Sequence, residues 1–148
     1  MKKFIYLLFV TVLLIACSNK SKRLNISQFE IKDLNGETGI TLNKNGEILF
    51  NSEIYGKVKE NGEVLDNKNN ILARLNANDI LTDSKDQPLI RISKNGDMDN
   101  GSGILIKWSE NGELLKGDEK TGMKIFPNDS NLYRTASIIL YLYLSFGK

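Results

Sequence analysis

The chain contains no histidine and one cysteine among its 148 residues. Without histidine there is no serine–histidine or cysteine–histidine catalytic pair, and the commonest metal ligand is missing. A lone cysteine closes no intramolecular disulfide and forms no redox pair. Long apolar runs are lacking as well. A membrane-spanning helix needs about 20 apolar residues, and both apolar stretches, Phe4–Ala16 and Leu132–Phe146, fall short of it. What remains is carboxylate, lysine, tyrosine and oxygen-ligand chemistry, and no cofactor or metal is expected.

The residues present at the N-terminus read as an address. Lys2 and Lys3 precede the apolar stretch Phe4–Ala16, which ends at Cys17 and the polar residues Ser18, Asn19 and Lys20. This layout is an export signal rather than part of a fold. An ordinary secretory signal ends in a small-x-small pattern, but the third residue before Cys17 is the bulky Leu14. Leu14-Ile15-Ala16-Cys17 instead resembles a bacterial lipobox. The resemblance implies cleavage after Ala16, a diacylglyceryl group on the Cys17 thiol, and acylation of the new amino group. Two or more acyl chains hold a protein stably at a membrane. Residues 1–16 would be the signal peptide, 17–23 the lipidated cysteine with a polar spacer, and 24–148 one domain. Ser18, rather than an aspartate, resembles lipoproteins sorted to the outer membrane. The expected location is the bacterial cell envelope, on the outer membrane facing the periplasm, with the inner membrane or cell surface as alternatives.

Charge of one sign is also missing once that segment is removed. The chain has 20 basic and 18 acidic residues, and losing Lys2 and Lys3 leaves 18 of each. Nucleic-acid binders carry a basic excess, so no nucleic-acid partner is expected.

The body of the chain repeats. An apolar residue, two polar positions, Asn-Gly, an acid and a second apolar residue recur at Leu42–Ile48, Val58–Val64, Ile92–Met98 and Trp108–Leu114. Asn-Gly between apolar runs is a strong hairpin signal, because both residues tolerate positive φ. A three-residue loop Glu60-Asn61-Gly62 would pair Val58 with Val64 and set Lys59 opposite Glu63. A fifth copy, Leu75–Ile80, has Asn78-Asp79 at its centre and reads one residue shorter. A basic residue followed by an apolar one recurs at Lys57, Arg74, Arg91 and Lys107, in steps of 17, 17 and 16. Units this short cannot bury their own apolar faces and must share one core. The pattern predicts a mainly β fold, an antiparallel hairpin array of 16–18 residues per unit. Over Asn43–Lys116 it resembles the four-fold β-flower domains of bacterial proteins, a resemblance that implies no functional residues.

The flanks differ. Leu24–Leu34 alternates Ile26, Phe29 and Ile31 with polar residues and predicts an opening strand, followed by a turn at Leu34-Asn35-Gly36. Leu132–Phe146 is long for a strand in a small domain, so a C-terminal α-helix is the preferred reading over a strand. Asp129 or Ser130 would be its N-cap and Gly147 its stop. Its apolar circumference suggests a plug closing one side of the core.

Four candidate sites stand out. In a closed ring, Lys57, Arg74, Arg91 and Lys107 would converge on an anionic ligand. The competing and preferred reading places them outward, paired across strands with Glu47, Glu63, Asp79, Asp97 and Glu113. Asp97-Met98-Asp99-Asn100-Gly101 clusters oxygen ligands. Its glycine comes fifth rather than sixth and Trp108 occupies the place of the bidentate acid, so turn chemistry fits better than calcium. Asp83 and Asp86 are one pair of carboxylates among many. Tyr55 and Trp108 would stack on a sugar, but both occupy the apolar register of a core.

These readings favour a membrane-anchored, non-catalytic binding or scaffolding module at the cell envelope. It would be held in membrane lipid through acylated Cys17 and face an envelope protein or glycan partner. The rival is a small glycan hydrolase, which requires two carboxylates roughly 5–10 Å apart across a cleft.

Overall fold

The computed structural model describes residues 23–146. Cys17 and the signal segment lie outside the described residues, as does Gly147. The described chain forms β1 (Phe29–Lys32), β2 (Thr38–Leu42), β3 (Glu47–Phe50), β4 (Glu53–Val58), β5 (Glu63–Asp66) and β6 (Ile71–Leu75). It continues through β7 (Ile80–Asp83), β8 (Pro88–Ile92), β9 (Met98–Asp99), β10 (Ile104–Trp108), β11 (Glu113–Lys116) and β12 (Glu119–Phe126). A 3-10 turn, Ser130–Leu132, then leads into α1 (Tyr133–Phe146). Each strand pairs antiparallel with its sequence neighbours, and β12 returns to β1, so the sheet is a closed barrel. The mainly β hairpin array with a C-terminal helix is the observed fold.

The repeat's Asn-Gly turns, at Asn45-Gly46, Asn61-Gly62, Asn95-Gly96 and Asn111-Gly112, gather at one end of this barrel and set its register. Lys59 N donates to Glu63 O at 2.9 Å, Val58 faces Val64, and Gly62 has φ +93°. That is the three-residue loop expected from the sequence. The same arrangement sets Leu42 opposite Ile48, Ile92 opposite Met98 and Trp108 opposite Leu114. All of these apolar residues are buried. They form a hydrophobic layer just inside the turns, shared by units that could not bury it singly. Successive turns also bond to one another. Gly46 O accepts from Val58 N at 2.8 Å, and a Cβ on Gly46 would lie 2.4 Å from Val58 O. Glycine at position 46 therefore provides both the positive φ and the close backbone approach.

The fifth copy is not shortened. Leu75 faces Leu81, six residues on, and Asp79 sits at the glycine position with φ +64°. Ile80, not Asp79, occupies the acid register of that unit.

At the opposite end the loops hold themselves together. The carboxylates of Asp33, Asp66, Asp83 and Asp99 each accept backbone N–H groups two and four residues ahead, at 2.7–3.2 Å. Asp99 is thereby engaged in turn chemistry, as is Asp97, whose Oδ2 accepts from Asn95 at 3.0 Å.

The helix is enclosed, which differs from a plug on one side. Tyr133, Thr135–Leu140 and Leu142 are all buried, which covers every face of α1. It contacts both β2 and β8, which lie across the ring from each other. A helix apolar all round has no solvent face to present, and a closed sheet is one environment that satisfies it. Asp129 caps the preceding 3-10 turn, its side chain accepting from Asn131 N. The strand that permits closure, β12, carries Glu119-Lys120-Thr121-Gly122 and lacks the periodic signature of the others. Among the described residues, no helix is long and apolar enough to cross a membrane.

Candidate functional site

The N-terminal end of α1 lies at the Asn-Gly end of the barrel, and its polar residues fix it there. Thr135 Oγ1 donates to Asn25 O at 2.8 Å. Trp108 Nε1 donates to Ser137 Oγ at 2.8 Å, and Ser137 in turn donates to Gly96 O. The Tyr133 ring stacks on Trp108, with its hydroxyl 3.0 Å from Ser109 O. Burial pushes the Tyr133 phenol above its usual pKa, and the nearby Asp129 charge adds to the shift. Arg134 is the sole charged residue of the helix, and its Nη2 donates to the Asp79 carboxylate and to Ile92 O. Asp79, the residue that replaces a turn glycine, thus anchors a cation brought from 55 positions away.

The chain enters across the same end. Arg23 N and Leu24 N both bond to Glu60 O, at 2.7 and 3.1 Å, and Arg23 Nη1 donates to Leu75 O at 2.9 Å. Between this crossing segment, the turns at residues 76–79 and 94–95, and the start of the helix lies a cleft of about 940 Å³. Among the described residues Arg23, Lys94 and Arg134 supply its positive charge, and Asp79 is the one carboxylate in its lining. Asn25, Asn76, Asn95, Asn131 and Ser130 add uncharged polar groups, beside the apolar Leu24 and Ala77. This arrangement suits the binding of an anion by charge and hydrogen bonds. Its carboxylate is held in an ion pair.

The four cations selected from the sequence lie elsewhere. Lys57, Arg74, Arg91 and Lys107 alternate with buried or half-buried neighbours on β4, β6, β8 and β10, which places them on the outside of the barrel. Strands are about 4.8 Å apart, so residues on alternate strands stand roughly 10 Å from one another around a convex surface. Lys57 faces Glu47 and Arg74 faces Glu63 across the strands. Arg74 also pairs with Asp86 at 3.1 Å, and Lys107 with Asp118 at 3.0 Å. Arg91 faces Asp99 and Ile80, because Asp79 left the acid register. Trp108 is buried in the core, and Tyr55 stacks on Phe50 with centroids 4.2 Å apart. Asp83 is spent on its own loop and Asp86 on Arg74.

Sequence reasoning passed over Lys94, Arg134 and Asp79 as site residues. Two signals pointed there: an aspartate at a glycine position, and one arginine in an otherwise uncharged apolar run.

No family model, curated protein or solved structure matches this chain.

Proposed function

We propose that the protein is a lipid-tethered, non-catalytic binding or scaffolding module of the bacterial cell envelope. Its N-terminus is acylated at Cys17 after cleavage behind Ala16, and its ligand face is the Asn-Gly end of the barrel. The observation that carries this reading is the cationic, amide-lined cleft at the end where residue 23 joins the domain. Five residues lie between Cys17 and Arg23, and the six steps of chain that join them reach at most roughly 22 Å. A tether so short keeps this end, rather than the opposite one, near the membrane. The rival hydrolase needs two carboxylates facing across a cleft, whereas the lining here carries Asp79 alone, paired with Arg134.

Replacing Cys17 by serine tests the tether. The expected result is loss of lipid labelling and a shift of the protein out of the membrane fraction. Unchanged precursor size, labelling and fractionation would overturn it. Measurable glycan turnover that disappears in Asp79→Asn would overturn the non-catalytic assignment.

A further inference from the structure

We propose that the cleft at the Asn-Gly end binds a phosphoryl group, from either a lipid headgroup or a soluble phosphate ester. The lipid source rests on the tethered-module reading above; the soluble source does not.

The charge distribution is the first support. From Arg23 to Phe146 the sequence carries 15 basic and 18 acidic residues, so the domain body is net negative. The cleft reverses that sign, with Arg23, Lys94 and Arg134 against Asp79. Elsewhere on the barrel some cations are matched, Lys59 with Glu63, Arg74 with Asp86, Lys107 with Asp118 and Lys120 with Glu113, and single lysines such as Lys44 and Lys85 stand in exposed turns without a cluster around them. Lys94 has no ion-pair or side-chain hydrogen-bond partner among the described residues. Asp79 and Ile92 O both bond Arg134 through Nη2, which fixes the guanidinium in place, and its buried Nε has no partner.

Hydrogen-bond polarity is the second support. Asn76 Oδ1 already accepts from Asn78 N and Ile80 N, at 2.8 and 3.1 Å, which leaves its NH2 as a donor. Asn25 Oδ1 accepts from Ser27, leaving its NH2 likewise. With an ammonium and a guanidinium beside them, these two amides give the cleft available donors, whereas the Asn95 and Asn131 amides already donate to Asp97 and Asp129. A phosphoryl group is the complement, an anion with several acceptor oxygens and little to donate. A cavity of about 940 Å³ is large enough to take the group together with part of the molecule bearing it.

The test uses the full-length acylated protein in dodecyl maltoside micelles, which contain no phosphate. Inorganic phosphate and phosphatidylglycerol are titrated separately by calorimetry. Saturable binding of at least one is expected. Lys94→Gln should weaken it about tenfold, as loss of a charge-assisted bond does. Lys94 lies in an exposed turn, so an unchanged melting temperature will show that this variant is folded. Lys85→Gln, in a loop of the opposite end, should leave binding unchanged. Binding of phosphate identifies the soluble source, and binding of the lipid alone identifies the headgroup. No saturable binding of either probe, or binding that Lys94→Gln leaves intact, would overturn the proposal. Such a failure with membrane fractionation still dependent on Cys17 would leave the tethered-module reading standing.

Discussion

The two ends of the barrel solve the same problem differently. Both must turn the chain back repeatedly without leaving buried backbone groups unpaired. At one end Asp33, Asp66, Asp83 and Asp99 satisfy their own loops, through bonds spanning two and four residues. There α1 emerges with Leu144 and Phe146 exposed. At the other end the turns reach for the helix: Gly96 to Ser137, Ser109 to Tyr133, Asp79 to Arg134. The first end is local and interchangeable. The second adds long-range bonds to local ones, such as those that Asn76 Oδ1 accepts, and it contains the cationic cleft. Departures from the repeat, rather than the repeat itself, therefore mark where this fold is specialised.

Removing the helix's central support should disturb both ends at once. Leu140 is fully buried, and Leu140→Ala is expected to cost about 2–5 kcal/mol, read from denaturant unfolding. A cost below 1 kcal/mol would mean that the helix is not enclosed.

The next contrast separates the ends. Ser137→Ala removes the acceptor of the Trp108 indole and a donor to Gly96 O, both in a buried setting. It should cost about 1–3 kcal/mol, the penalty for stranding buried polar groups. Asp83→Ala removes two bonds at an accessible loop and should cost about 0.5–1 kcal/mol. Equal losses from the two variants would erase the distinction between long-range and local turns.

The smallest effect is electrostatic. Bonds from the Asn70 side chain and backbone hold the Asp66 carboxyl below its usual pKa, with Lys68 adding to the shift. A carboxylate favoured in the folded state stabilises its loop above the ordinary aspartate value of about 3.9. That contribution is lost as pH falls through the lower, folded value. An NMR titration of the Asn70 amide should have its midpoint below that ordinary value, and Asp66→Asn should abolish the transition. A midpoint at or above it would contradict the loop's bonding.

The sequence displays the local end and the strand register openly, because Asn-Gly and Asx turns act within a few residues. Val58 opposite Val64 followed from spacing alone. Closure did not, since it depends on β12 meeting β1 across more than ninety residues, and β12 carries no repeat signature. Lys57, Arg74, Arg91 and Lys107 had the right period, but on a convex surface periodicity spreads side chains apart. The cleft was hidden for the opposite reason. Lys94, Asp79 and Arg134 belong to different elements and share no spacing, and only folding brings them to one place.

The most direct test places a photocrosslinking amino acid at Asn95 in one variant and at Lys85 in another, in the full-length tethered protein within its native envelope. Asn95 lines the cleft and Lys85 lies in a loop of the opposite end. Saturable adducts from position 95, absent at position 85 and reduced by Lys94→Gln, are the predicted result. Equal capture at both positions, or capture at position 85 alone, would contradict the assignment of the Asn-Gly end as the ligand face.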